Sequence, residues 1–127
     1  MPFTLSARSE SKLKGAHPDL VKVVRLAIQR SEVDFVVTEG LRTKARQAEL
    51  VAAGASQTMR SRHLTGHAVD LAALVGRKVR WDWPLYAKLA AAMKGAAAEL
   101  GVPLEWGGDW KSLRDGPHFQ LAWKSYP

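Results

Sequence analysis

Two short stretches concentrate the residue types that bind metals and move protons. SRHLTGHAVDL, from Ser61 to Leu71, carries His63, His67 and Asp70 in a chain with only four histidines, and RDGPHFQLAW, from Arg114 to Trp123, adds Asp115 and His118. There is no cysteine, so thiolate metal sites, disulfides and cysteine nucleophiles are excluded, and any catalytic metal has to be held by imidazole and carboxylate. A catalytic zinc takes three such ligands and keeps a fourth position open for water. His63, Asp70 and His118 supply that set if the two stretches meet in space. The seven-residue step from His63 to Asp70 is longer than a helical turn, but Gly66 lets the chain bend between them. Taken singly, each residue has an ordinary explanation, a hydrogen-bonded histidine or a capping aspartate, and spacing alone leaves both readings open.

Residues so far apart need a scaffold. HPDLVKVVRLAIQRS places Pro18 at a first helical position and Leu20, Val23, Val24, Ala27 and Ile28 at helical spacing. VDFVVTEG, from Val33 to Gly40, is β-branched and aromatic and predicts a strand, and RTKARQAELVAAG predicts a helix closing at Gly54. In HAVDLAAL the alternation sets Val69, Leu71 and Ala73 on one face and Ala68, Asp70 and Ala72 on the other. WPLYAKLAAAMKGAAAELG predicts the longest helix, with Pro84 near its start, Gly101 beyond its end, and a stripe of Leu85, Leu89, Met93, Ala96 and Leu100. HFQLAW alternates again, with Phe119, Leu121 and Trp123 opposite His118, Gln120 and Ala122. His118 and Asp70 then share the open face of one sheet. The mixed order, with little strict strand–helix–strand repetition, predicts an α+β fold with a small, mostly antiparallel sheet and about three helices.

The 127 residues suit a single domain spanning 1–127, and 46% hydrophobic content with five tryptophans is that of a folded globular chain. MPFTLSARSE lacks a signal-peptide core and no run approaches a membrane span, so the expectation is synthesis in the cytoplasm without membrane insertion. The net charge of +7 draws the chain to a polyanion: nucleic acid, an anionic membrane or an acidic wall polymer. Its Lys and Arg are scattered from Arg8 to Lys124, and no nucleic-acid-binding motif is present, so no nucleic-acid partner is expected.

With its flanks, SRHLTGHAVD resembles the Ser-x-His-x-x-Gly-x-Ala-x-Asp signature of the D-alanyl-D-alanine carboxypeptidase (VanY-like) family of zinc peptidases. WGGDWKSLRDGPHFQL resembles that family's second motif, and TEGLRT and EWGGDW extend the likeness over nearly the whole chain, most closely to the phage L-alanyl-D-glutamate endopeptidases that serve as endolysins. The resemblance implies an LAS-type zinc peptidase fold, Zn2+ held by His63, Asp70 and His118, Asp115 as catalytic acid/base, and Arg42 near the scissile carbonyl. Related carboxypeptidases often have Glu where Asp115 stands, a departure shared by the endolysin-like branch. Ser61 is a candidate for substrate contact or for shaping the ligand loop. Three positions along a regular strand would aim Asp115 and His118 at opposite faces, so Gly116 and Pro117 must interrupt the alternation. His67 is expected near the site or exposed and not as a fourth ligand, and His17 as a helix-entry residue. Trp106 and Trp110 are expected as core or cleft walls in preference to a sugar platform, with Gly107 and Gly108 in a tight turn.

These expectations converge on a phage or prophage endolysin that cleaves the peptidoglycan stem peptide at L-alanyl-D-glutamate to lyse the host. The alternatives are a D-alanyl-D-alanine carboxypeptidase of wall metabolism, or a basic non-catalytic module that binds wall or nucleic acid. A monomer is expected, acting in the periplasm on a thin wall after passing a membrane hole made by another phage protein.

Overall fold

The computed structural model describes residues 2–54, 61–112 and 114–127. It opens with a short helix, α1 (Ala7–Lys12), capped by the Ser6 hydroxyl, which accepts from the Ser9 amide at 3.1 Å. α2 (Pro18–Arg30) follows, entered through His17, whose Nδ1 accepts from the Asp19 amide at 3.1 Å. Its buried stripe is Leu20, Val23, Val24, Ala27 and Ile28, as the periodicity predicts. Next come β1 (Asp34–Glu39) and α3 (Lys44–Ala52), the latter capped by Thr43. A 3-10 turn, Arg62–Thr65, leads into β2 (Ala68–Val75), which folds back as β3 (Lys78–Arg80). α4 (Trp83–Leu100) has Pro84 in its first turn and ends at Gly101, in the left-handed conformation that favours glycine. β4 (Leu104–Trp106), a second 3-10 turn at Gly107–Asp109, and β5 (His118–Leu121) complete the chain.

The strands form one antiparallel sheet in the order β1-β2-β5-β4, with β3 also pairing with β2. Phe35, Val37, Val69, Leu71, Ala73, Phe119 and Leu121 from one face join the buried stripes of α2 and α4 in a continuous apolar core. The opposite face carries Asp70 and His118, which stand directly across from each other in the β2–β5 register. The two faces are as the alternation predicts.

One irregularity in the pairing decides where Glu39 points. Val37 pairs with Leu71 but Glu39 pairs with Asp70, so β1 advances two residues while β2 advances one, a β-bulge at Thr38. In unbroken alternation Glu39 would follow Phe35 and Val37 into the core; the bulge turns it to the Asp70 face. The Val37 amide beside the bulge donates to the buried Ser9 hydroxyl of α1 at 3.0 Å, so the short helix satisfies an edge that would otherwise lack a partner.

The α+β class and small antiparallel sheet agree with the sequence reading, which passes over α1, β3 and β4. Each of these has six residues or fewer, too few for periodicity to register. The predicted stripe of α4 is shifted. Tyr86, Leu89, Ala90, Met93, Ala96 and Ala97 are buried while Leu100 is 42% exposed, because a face running i, i+3, i+4, i+7 from Tyr86 points at the core shared with α2 and the sheet. β5 ends at Leu121, and Trp123 lies beyond it, its ring covered by the Arg62 guanidinium 3.9 Å away. Among the described residues no helix is long and apolar enough to cross a membrane.

Two glycines separate conformational strain from crowding. Gly54 and Gly66 both have positive φ, 76° and 75°, but a side chain on Gly54 would meet nothing among the described residues, whereas on Gly66 it would lie 2.5 Å from the Gly15 carbonyl oxygen. Gly54→Ala should cost about 1 kcal/mol in urea unfolding, the left-handed penalty alone. Gly66→Ala should cost clearly more, and equal costs would mean that the Gly15 contact yields freely.

Candidate metal centre

His63 reaches the sheet from the 3-10 turn. Ser61 caps that turn, its hydroxyl accepting from the His63 amide at 3.2 Å, and Gly66 ends it in the left-handed region. Ser61 therefore shapes the turn that carries His63. The turn is further tied by the Arg42 amide, which donates to the His63 carbonyl at 2.9 Å. His63 Nε2 ends 3.3 Å from Asp70 Oδ1, and His118 Nδ1 approaches the same oxygen at 3.4 Å. The three residues offer ligand atoms all within 4.8 Å of one another. Ligands at zinc distances on a tetrahedron stand about 3.3 Å apart, so these spacings suit one small cation.

The outer partners of both rings leave the inward nitrogens as acceptors. His63 Nδ1–H donates to the Gly40 carbonyl at 2.9 Å, which turns the Nε2 lone pair toward Asp70. His118 Nε2–H donates to Gln120 Oε1 at 2.7 Å, and Gln120 in turn donates to Glu105 at 3.1 Å, which leaves Nδ1 facing Asp70. With these tautomers neither ring donates a proton to the carboxylate between them. His63 Nε2 and Asp70 Oδ1 are both buried without a hydrogen-bond partner among the described residues. Orphaned buried acceptors are costly, and two aimed at one point are what a cation would satisfy.

The electrostatics agree. Burial by itself would raise the Asp70 carboxyl, but hydrogen bonds from His118 and His63 when a ring carries a proton on its inward nitrogen, the place a cation would take, outweigh it and hold Asp70 well below the usual carboxylate range. Burial opposes a charge on His118, yet the adjacent Asp70 carboxylate and Gln120 keep its pKa above the ordinary imidazole value. The pocket attracts positive charge.

Arg42 is buried at 9% exposure, far from the surface placement expected of an arginine at a helix start. Its Nε and Nη2 donate to both oxygens of Glu39 at 2.7 Å each, and its Nη1 donates to Gln47 at 2.7 Å. That fork holds the guanidinium with Nη2 3.9 Å from Asp70 Oδ2, at the rim of the cluster. The Arg42 hydrogen bond is the main reason that the Glu39 carboxyl lies below its ordinary value. Glu39, Gln47, Gln120 and Glu105 are the residues that sequence reasoning missed. Gln47 is fully buried in a helix otherwise without buried side chains, a placement that the structure alone reveals.

Asp115 occupies the turn that leads into β5. The His118 amide bonds back to the Asp115 carbonyl at 3.2 Å, and the Pro117 carbonyl accepts from the Leu71 amide at 2.9 Å, so Gly116 and Pro117 do interrupt the strand. The Asp115 amide donates to the Gly107 carbonyl at 3.0 Å, and Gly107 has no room for a side chain because one would lie 2.4 Å from the Asp115 carbonyl oxygen. Burial, followed by the charge of Asp70, raises the Asp115 carboxyl, with His118, His63 and Arg42 opposing. Asp115 is thus electrostatically coupled to the whole cluster without belonging to it. Trp110 stands over His118 with ring centroids 5.2 Å apart, a cleft wall, and Trp106 stacks on Phe119 in the core. His67 lies outside the cluster, bonded to Thr65 and ringed by His17 and Tyr126.

A small antiparallel sheet with a His–Asp–His cluster on one face, an arginine at its rim and a separate carboxylate beside it defines a metal-centred hydrolase. The chain belongs to the phage L-alanyl-D-glutamate peptidase family, whose model matches residues 1–121. It is 35% identical to the L-alanyl-D-glutamate peptidase of Escherichia phage T5 over 119 residues, 91% of this chain and 87% of that protein. It is 42% identical to the L-alanyl-D-glutamate peptidase of Listeria phage A118 over 94 residues, 74% of this chain but 32% of that longer protein. Among solved structures, the L-Ala D-Glu endopeptidase ChiX of Serratia marcescens matches at a TM-score of 0.93 and 58% identity, covering 100% of this chain and 94% of that one. A vancomycin-resistance D,D-dipeptidase shares the fold at a TM-score of 0.55 and 19% identity, over 84% of this chain and 50% of that one.

The Glu39–Arg42 pair yields a test. Glu39→Gln keeps the shape but leaves a buried guanidinium facing a neutral amide, so stability in urea should fall by about 1–3 kcal/mol. Unchanged stability would show that Arg42 does not rely on Glu39.

Proposed function

We propose that the chain is a zinc-dependent endopeptidase that hydrolyses the L-alanyl-D-glutamyl bond of the peptidoglycan stem and serves as a phage or prophage endolysin. The observation that carries this reading is the convergence of His63, Asp70 and His118, with the inward acceptors of His63 and Asp70 unpaired among the described residues, in a chain so close to ChiX and the phage peptidases. Two imidazoles and one carboxylate are the donor set that zinc favours in catalytic sites, and no thiolate competes.

His63, Asp70 and His118 would hold the zinc, each fixed from behind by the Gly40 carbonyl, the strand register or Gln120. Bound there, zinc supplies Lewis acidity, lowering the pKa of a water to about 7 and polarising the scissile carbonyl. Asp115 is the proton carrier: its raised affinity for protons suits a carboxylate that accepts one from the attacking water and returns it to the leaving amine of D-glutamate. The turn at Gly116–Pro117 swings it to the site. Arg42 presents permanent positive charge where the carbonyl oxygen becomes negative, and the Glu39–Gln47 fork removes the entropy cost of placing it there. Trp110 screens one side of His118 from water.

The net charge of +7 favours approach to an anionic envelope, with a monomer acting on the wall after release through a membrane hole made by another phage protein. Digestion of purified sacculi followed by mass analysis tests the bond. Stem peptides freed from the glycan with new D-glutamyl amino ends are the expected product; release of free D-alanine alone would make the chain a carboxypeptidase instead.

The division of labour has its own test. Asp115→Asn should keep close to one zinc per chain while losing most wall hydrolysis, because the amide cannot accept the proton. Arg42→Ala should lower the rate around a hundredfold with zinc retained, as for loss of one oxyanion donor. Full activity in a zinc-free preparation, or in zinc-loaded Asp115→Asn, would refute the mechanism.

A further inference from the structure

The catalytic assignment leaves one part of the molecule unused, a run of aromatic rings beside the Asp115–His118 turn. Trp81, at 58% exposure, and Trp83, at 43%, stand in the open between β3 and the first turn of α4. Trp81 lies against Tyr86 with centroids 6.1 Å apart, and Trp83 meets Tyr86 at 6.4 Å and Trp106 at 6.3 Å. This cluster borders the catalytic turn directly. A side chain on Gly116 would come within 3.5 Å of the Trp83 ring and 3.2 Å of the Tyr86 ring, and Trp106 Nε1–H donates to the Gly116 carbonyl at 2.7 Å. Arg114 lies 4.4 Å over the Trp83 ring while its Nε–H donates to the Gly108 carbonyl at 3.1 Å, so a guanidinium is fixed against one face of that indole and Trp81 is left as the more open ring.

Large exposed apolar rings rimmed by a fixed donor mark a binding surface, and its place beside Asp115 limits what can lie on it. In peptidoglycan the amino group of L-alanine is acylated by the lactyl arm of a muramic acid. The bond from L-alanine to D-glutamate is therefore separated from a pyranose ring by one residue and one acyl group, about 7 Å of extended chain. A stem placed for cleavage must bring its sugar to the rim of the site. A pyranose matches the surface: its C–H face packs on an indole, and its ring hydroxyls and acetamido carbonyl take hydrogen bonds at the edge.

We propose that Trp81 and Trp83, with Arg114, form a saccharide subsite that holds the muramyl sugar on the L-alanine side of the scissile bond. This rests on the endopeptidase reading and adds to it the part of the substrate that a peptide pocket ignores. The platform falls to Trp81 and Trp83, and not to Trp106, whose ring is partly buried against the core.

The test compares two substrates with the zinc-loaded chain: an N-acetylated stem tetrapeptide, and the same stem carrying the N-acetylglucosaminyl-muramyl disaccharide. The wild type should favour the disaccharide form in kcat/KM, and Trp81→Ala and Trp83→Ala should each lower that preference by around tenfold, mainly through KM. Disaccharide without peptide should quench tryptophan fluorescence in the wild type and do so less in Trp81→Ala. Zinc content and far-UV circular dichroism check that each variant is folded, and Trp81, the more exposed ring, serves if Trp83→Ala is not. Equal kcat/KM for both substrates in the wild type, or an unaltered ratio in folded Trp81→Ala, would overturn the subsite and leave the endopeptidase standing. A change in sedimentation with the ratio preserved would make the patch a self-association face, also against the proposal. Failure of the wild type to cut either substrate at the L-alanyl-D-glutamyl bond would instead refute the underlying function.

Discussion

The Asp70 carboxylate, wedged between two imidazoles on a sheet face of small residues, is the constraint around which the molecule is arranged. Oδ1 sits 3.3 Å from one ring and 3.4 Å from the other, buried and without a donor among the described residues. A carboxylate so placed is expensive to desolvate, and the two neutral acceptors beside it make matters worse unless a cation occupies the gap. Ala68 and Ala72 flank it on the same face, both fully buried, so the cluster lies in a covered part of the sheet. The core beneath supplies the stability that such a cluster consumes, with α2 and α4 burying their apolar stripes against the other face.

Precision comes from pairing registers and not from loops alone. Asp70 and His118 face each other because β2 and β5 pair antiparallel at that position, and Glu39 joins them through the bulge in β1. His63, Arg42 and Asp115 come from connecting segments, and all three are pinned, Arg42 by Glu39 and Gln47. His63 is held by the Ser61 cap and the Gly40 carbonyl, Asp115 by the Gly107 carbonyl and the turn bond to His118. Rigid strands carrying first contacts, supported by a second layer of hydrogen bonds, are what a site needs to hold a cation and a reacting bond in fixed relation.

What could be read from the sequence divides along physical lines. The faces of β2 and β5 were legible, because alternation over a half-buried strand depends only on local pattern, and so were the caps at His17 and Gly101 and the stripe of α2. The ligand set was suggested by residue type but could not be joined by spacing, since His118 lies in a distant strand; the motif resemblance joined it. Glu39 was invisible because a bulge reverses the face that alternation assigns, and nothing local in VVTEG announces one. Tyr86 was missed because a helix rich in alanine offers several apolar stripes, and its packing on α2 and the sheet decides among them. Gln120 and Glu105 act through a ring they orient, so their role exists only after β4 and β5 pair.

The central claim is that one metal ion sits between His63, Asp70 and His118, with Asp115 and Arg42 beside it and not bound to it. Diffraction from crystals grown with zinc, recorded on both sides of the zinc absorption edge, examines this directly. A single strong anomalous peak per chain is expected about 2.0–2.2 Å from His63 Nε2, His118 Nδ1 and an Asp70 carboxylate oxygen. A peak coordinated by Asp115, or no peak at the cluster in zinc-containing crystals, would contradict it.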